Sequence, residues 1–168
     1  MEQVAIGRWS VSTDADLRRA FDELLEPVYR YASRLAGTDR ALAEDLAQDA
    51  FVRLVQEARN GDFTEVGVGW MVTVVRNRFI DHLRAARGGE RVEVEDLAGA
   101  EVQFDESAWL VAKLHPIERL VLVAHHVDGF PVADVARMIG RSEHATESLL
   151  ARARATARRK ITPGGRNE

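Results

Sequence analysis

The chain has 168 residues, and 23 lysines and arginines against 27 aspartates and glutamates leave a formal charge of −4, too near balance to name a partner. Hydrophobic residues at 46% and charged residues at 30% are ordinary globular proportions and exclude bulk disorder. The absence of cysteine excludes disulfides, thiolate metal sites and cysteine nucleophiles together, and fits a reducing cytosol.

The opening Met1-Glu2-Gln3-Val4 lacks the basic start of a signal peptide. The longest uncharged apolar stretch, Gly67 to Val75, is far below the roughly 20 residues that span a bilayer. A cytoplasmic protein without membrane insertion is expected. At this length one domain or two small ones would each bury a modest core, so local punctuation has to decide.

Pro27 is the only proline before residue 116, which permits long helices through the first half. The first is predicted from Asp14 to Leu35, carrying Leu17, Phe21, Leu24, Leu25, Val28 and Leu35 and ending at Gly37-Thr38-Asp39. A second runs from Arg40 to Arg59, stopped by Asn60-Gly61-Asp62. A loop containing Gly67 and Gly69 leads to a third, from Trp70 to about Arg87, closed by Gly88-Gly89. Between Glu90 and Glu106 seven acidic residues face one arginine, a net of −6 that reads as a solvated flexible linker.

Helical periodicity resumes at Ser107 and continues through Trp109, Leu110 and Leu114, then from Ile117 to His126. Asp128-Gly129-Phe130-Pro131 is a break. A short helix follows to Ile139, then a turn at Gly140-Arg141-Ser142 and a last helix from Glu143 to Ile161. The expected fold is all-α, with two small helical domains joined by the acidic linker. The boundaries are an N-terminal tail at 1–13, a first domain at 14–89, the linker at 90–106, a second domain at 107–162 and a tail at 163–168.

The second domain ends in a helix-turn-helix pattern. Ala136 lies four positions before Gly140, giving the close helix approach and the glycine turn that this motif needs, and Ser142 is placed to cap the next helix. On that helix Leu149, Leu150, Ala153 and Ala157 form a buried stripe, leaving His144, Ser148, Arg152 and Arg159 on another side that a major groove would accept. From Arg137 to Lys160 seven basic residues meet two acidic ones, a net of +5 suited to phosphates. The alternative is a plain helical hairpin with a solvated basic face.

In the first domain, Glu44, Asp45, Gln48 and Asp49 share one arc of the second helix with Val52 and Val55, while Ala43, Ala47, Ala50 and Leu54 lie opposite. Such an arc is either solvent-facing or a docking surface for a basic partner. On the third helix Thr73, Asn77, Asp81 and Arg84 fall on one side near Trp70, and residues 76 to 91 carry five arginines against two acids, a net of +3. These groups suit an unstacked base and its backbone. The alternative places Trp70 in the core and the arginines in solvent. Catalysis is disfavoured: His125-His126 with Asp128, or His82 beside Asp81, lack metal-ligand spacing because adjacent helical histidines point to different sides, and no phosphate loop or Ser/His/Asp set appears. No catalytic residue, metal or cofactor is expected.

Three strings together resemble the extracytoplasmic-function (ECF) class of bacterial RNA polymerase sigma factors, in the sigma-70 superfamily. They are Ala43-Glu44-Asp45-Leu46-Ala47-Gln48-Asp49-Ala50-Phe51, like region 2.2; Trp70 through Arg84, like regions 2.3 to 2.4; and the helix-turn-helix through Leu149-Leu150-Ala151-Arg152-Ala153-Arg154, like region 4.2. The resemblance makes 14–89 a sigma region 2 domain and 107–162 a sigma region 4 domain. It implies a factor that binds RNA polymerase core and directs initiation from minus-10 and minus-35 promoter elements. Glu44, Asp45, Gln48, Asp49 and Val52 would bind the clamp coiled coil of the largest subunit, with the polymerase flap region as a further contact. Asp62, Phe63, Trp70, Thr73, Asn77, Arg78, Asp81 and Arg84 would hold the single-stranded minus-10 element. Arg141, Ser142, His144, Ala145, Ser148 and Arg152 would read the duplex minus-35 element. The acidic linker would thread a basic polymerase channel, and an anti-sigma protein is a common regulator of the class. Glu147 and Leu149 stand where members of the class often carry cations, which weakens the expected phosphate contact at the start of the last helix. A conventional helix-turn-helix repressor is the competing reading, and it has no use for the Asp45 and Asn77 faces.

Overall fold

The computed structural model describes residues 9–61, 65–86 and 113–161. Helices α1 (Asp14–Ala36), α2 (Arg40–Asn60) and α3 (Val68–Ala86) form the first unit. Helix α4 (Pro116–Leu122), a π-helical turn (Val123–Val127), α5 (Val132–Ile139) and α6 (Glu143–Ile161) form the second. The acidic run 90–106, with Trp109 and Leu110, lies outside the described residues, as do Asp62 and Phe63.

Each boundary has a local cause. Thr13 and Asp16 close a reciprocal capping box on α1: the Asp16 amide donates to Thr13 Oγ1 at 3.2 Å and the Thr13 amide to Asp16 Oδ2 at 3.0 Å. The hydrogen bond from the Thr13 hydroxyl, chiefly, holds the Asp16 carboxyl below its usual range. Asp39 caps α2 through the Leu42 amide at 3.0 Å, and Gly61 ends it in the left-handed conformation, φ 73°. Pro27 sits inside α1 and removes one donor from its ladder without ending it.

Two expectations about boundaries change. The third helix begins at Val68, so Gly69 belongs to its first turn rather than to a loop. Residues 9–13 are no loose tail: Trp9–Ser10 (β1) pairs antiparallel with Glu65–Val66 (β2), Val11 is buried, and Thr13 is the α1 cap. This short ribbon ties the start of the chain to the base of the α2–α3 connection.

The first core is a three-helix interdigitation. Leu24, Val28 and Leu35 from α1 meet Leu46, Ala50 and Leu54 from α2 and Met71, Val72, Val75 and Phe79 from α3. In the second unit, α4 packs on α6 and α5 on α6, burying Leu120, Val121, Val135, Met138, Leu149, Leu150 and Ala153. The two units do not stand apart. One continuous apolar cluster runs through both, and α1 touches α4 directly.

The helix predicted from Ile117 to His126 starts one residue earlier, with Pro116 in its first turn. It widens after Leu122 into the π turn, where the Asp128 amide donates to Val123 O at 2.9 Å. Residues Lys113 to His115 form a turn and not a continuing helix.

Candidate polymerase and nucleic-acid interfaces

The helix-turn-helix is built as its residues require. Ala136 is buried where α5 meets α6, and Gly140 ends α5 at φ 64°, a conformation open to glycine at little steric cost. The amides of Gly140 and Arg141 return to Arg137 O at 3.2 Å and Ala136 O at 3.0 Å. Ser142 Oγ accepts from the Ala145 amide at 3.2 Å and starts α6. The fully buried Thr146 donates its hydroxyl to Ser142 O at 2.9 Å, which fixes the turn.

This leaves Arg141, Ser142, His144, Ser148 and Arg152 exposed together along the outer side of the motif, with Ala145 half-buried among them. The Ser148 hydroxyl donates to His144 O at 3.0 Å, so toward a ligand it offers lone pairs. Leu149 is core, buried beside Leu150, and Glu147 is exposed.

A second surface lies between α1 and α2. Phe21, Leu25 and Val52 are 44%, 41% and 48% exposed, although all three are large and apolar. With Phe51, whose ring sits 4.7 Å from that of Phe21, and with Tyr29 and Val55, they line an open groove of about 710 Å³. Glu44 and Gln48 stand on its rim, and Asp45 and Asp49 are exposed on the same helix. Glu44 accepts from Arg40 Nε at 2.8 Å, and that bond raises the Arg40 pKa. Asp49 faces Arg78 of α3 at 3.7 Å. The acids and Val52 are residues the helical spacing singles out, whereas Phe21 and Leu25 are residues it places only on the apolar stripe of α1.

The face of α3 is divided. Arg78 and Asp81 are exposed, while Trp70 and Asn77 are half-buried, with Trp70 packed on the core. Thr73 is buried and donates its hydroxyl to Gly69 O at 2.9 Å. Arg84 donates to Met138 O at 3.0 Å and so reaches across to α5. Arg76, one of the arginines expected either to hold a base and its backbone or to lie in solvent, does neither: it is 1% exposed and pairs with Asp128 at 3.1 Å. The expected single side of Thr73, Asn77, Asp81 and Arg84 is therefore split between solvent and the second unit.

The two histidines of the π turn are neighbours in space. Their rings meet edge-on at 4.7 Å, yet they bond partners on different elements. His125 Nδ1 bonds Phe130 O at 2.7 Å, and His126 Nε2 accepts from Arg154 Nε at 3.0 Å. Burial first, then the neighbouring His125 and Arg154, push the His126 pKa down. Among the described residues no three acidic or histidine side chains gather as a metal site, and no helix is long and apolar enough to cross a membrane.

Two helical units, the second ending in a helix-turn-helix with an exposed outer side, are what the sigma-70 class combines, and the comparisons with known proteins agree. The Sigma-70 region 2 family matches residues 20–89 and Sigma-70 region 4 matches residues 110–156. The ECF RNA polymerase sigma factor BldN of Streptomyces coelicolor is 30% identical over 88% of this chain and 61% of its own length. The ECF RNA polymerase sigma factor SigM of Mycobacterium tuberculosis is 32% identical over 82% of this chain and 75% of its own. The chain thus spans less than two thirds of the first relative and three quarters of the second. The same fold occurs in the sigma factor RpoE of Bartonella quintana, solved in complex with the anti-sigma factor NepR, at TM-score 0.51 and 20% identity over 87% of this chain and 96% of that one. This chain belongs to the ECF RNA polymerase sigma factors.

Proposed function

We propose that the surfaces divide the work of a sigma factor as follows. The α1–α2 groove takes the clamp coiled coil of the largest polymerase subunit, with Phe21, Leu25 and Val52 buried against it and Glu44, Asp45, Gln48 and Asp49 meeting basic groups at its edge. The observation that carries this reading is the exposed apolar groove with its acidic rim, a surface that water disfavours and a partner helix would cover. The second unit presents Arg141, Ser142, His144, Ala145, Ser148 and Arg152 to the minus-35 major groove, and it also meets the flap region.

On α3, Trp70, Asn77, Arg78 and Asp81 receive the unstacked minus-10 strand. Thr73 and Arg84 complete that surface once the second unit moves away, and Asp62 and Phe63, outside the described residues, extend it. The 14–89 and 107–162 segments act as two modules. The factor works in the cytoplasm, at the nucleoid when polymerase-bound. An anti-sigma protein, such as the RpoE complex contains, would regulate this chain by covering the same surfaces.

In vitro transcription with purified core polymerase on a genomic promoter library tests the reading and reports the recognised sequence. Promoter-specific transcripts that appear only with this chain are expected. Tight operator binding without core, and no transcript with it, would replace a sigma factor by a conventional repressor.

A further inference from the structure

The start of α3 is poorly furnished to hold its own shape. Gly67 precedes the helix and Gly69 lies in its first turn, so the backbone is freest just where Trp70 has to be placed. That turn, Val68 to Met71, contains no acidic residue to favour its free amides. The Met71 amide donates to Gly67 O at 3.3 Å and the Thr73 hydroxyl to Gly69 O at 2.9 Å, so both bonds end on the glycines themselves.

Rigidity comes instead from a distant part of the chain. A single residue, Gly67, separates β2 from α3, and β2 pairs with β1, Trp9 opposite Val66 and Ser10 opposite Glu65. Two short strands are not stable alone in water, so other contacts hold them. Ser10 and Glu65 are exposed, while their neighbours Val11 and Val66 are buried in the same cluster as Val68 and Met71.

Beyond Val11 the chain is gripped again. Asp16 Oδ2 accepts from the amides of Ser12 and Thr13 at 3.3 and 3.0 Å, which fixes the two residues that follow Val11 to the first turn of α1. A continuous path of backbone pairing and buried valines therefore runs from the start of α1, through β1 and β2, to the start of α3. Trp70 stands four positions past Val66 at the end of that path.

We propose that residues 9–13 are a positioning strap for the α3 surface: Val11 and the β1–β2 pairing set where Trp70 stands, and so how fast and how selectively an unstacked DNA strand is captured. This rests on the minus-10 role proposed above. Trp70 meets the strand; Ser10, Val11 and Glu65 do not, and act only through the backbone that joins β2 to α3. A binding constellation works when its groups are held to roughly 0.5 Å, and a pre-set one leaves less ordering for the moment of capture.

The chain has no cysteine, so Ser10→Cys with Glu65→Cys, directly opposed and exposed, can be closed into a cross-strand disulfide and reopened with a reductant. In the free double-cysteine chain, oxidation should slow hydrogen exchange at the Met71 amide about tenfold. Val11→Ala loosens the strap and keeps the Thr13 cap. With core polymerase and a promoter selected in the transcription assay, a fluorescent base in the minus-10 element follows opening. Val11→Ala should slow opening about fivefold, and reduce by a similar factor the preference over a single-base variant of that element, with core affinity unchanged. Oxidising the cysteine pair in the Val11→Ala chain should restore both. Val28→Ala, an equally buried valine about four turns farther along α1, should lower the melting temperature without changing the preference.

Native opening and preference in Val11→Ala would overturn the strap, as would a loss that the disulfide does not reverse or that Val28→Ala reproduces. A cysteine pair that will not close, or Met71 exchange indifferent to its closure, overturns it on the free chain even if Val11→Ala does not fold. Wild type that yields no promoter-specific transcript counts against the minus-10 role, whereas slowed Met71 exchange would still uphold the link from β1 to α3.

Discussion

The α1–α2 groove and the seam around Asp128 invert the usual arrangement of a globular protein. In the groove, large apolar side chains face solvent; in the seam, a tyrosine, two arginines and an aspartate are buried. The first surface is incomplete until a partner covers it, and the second is complete only while the partner is another part of the same chain. Exposed hydrocarbon favours association without dictating geometry. A buried charge cluster contributes little net energy but fixes one arrangement. The contrast separates a surface made for affinity from one made for a particular pose.

Charging the groove is the strongest way to break that contrast. Leu25→Glu with Val52→Glu should weaken core binding by about 1,000-fold, near 4 kcal/mol, while leaving the melting temperature almost unchanged because both positions are already exposed. A titration of labelled protein with core measures this, and a matching loss of fold stability would return these residues to the core.

In the seam, Asp128→Ala should remove about 3 kcal/mol of stability by stranding the Arg76 charge, whereas Asp128→Leu combined with Arg76→Met should restore most of it. Thermal unfolding of the three proteins decides. Equal losses for single and double variants would mean that packing, and not the charge pair, holds the units together.

A smaller effect is expected at the groove edge. Asp45→Lys with Asp49→Lys should weaken core binding about tenfold at low salt and less at high salt, and Asn77→Ala should slow promoter opening with core affinity intact. Identical losses of core affinity for both would erase the proposed division between α2 and α3.

The smallest signal is alkaline. Burial, chiefly, and the Asp128 charge raise the Tyr31 pKa well above its ordinary 10. The folded chain thus keeps the phenolic proton that an unfolded chain gives up. Its contribution to stability is full below pH 10 and is lost as pH climbs through the raised value. Tyrosinate absorbance should show one late-titrating tyrosine in wild type that becomes earlier in Asp128→Asn; unchanged curves would argue against Tyr31 facing Asp128.

The regular elements were legible because their signals are local. Asp39, Gly61, Gly140 and Ser142 punctuate the chain where capping chemistry demands, and the acidic arc of α2 follows from helical spacing alone. The exposure of Phe21 and Leu25 was not legible, for a physical reason. The apolar stripe of α1 is too broad for one contact, and periodicity does not say which edge of a wide stripe faces outward. That excess width was the available signal.

The seam had no such signal. Tyr31 and Asp128 are 97 positions apart, and Arg76 and Asp128 are 52 apart, so no window contains a pair. Asp128 stands in a chain break beside Gly129, and Arg76 in an arginine-rich helix whose charges suit either a nucleic-acid strand or solvent. Only tertiary packing distinguishes them from their neighbours.

The π turn at Val123–Val127 has a consequence for how this factor can evolve. Such a turn has the geometry of an α-helix that has gained one residue. Loss of a single codon there would restore the ordinary helix and swing Asp128 by about 100° around its axis. Neither the groove nor the recognition helix would change in sequence. The packing of the second unit on α1 and α3 is thus heritable separately from the groove and the α6 surface.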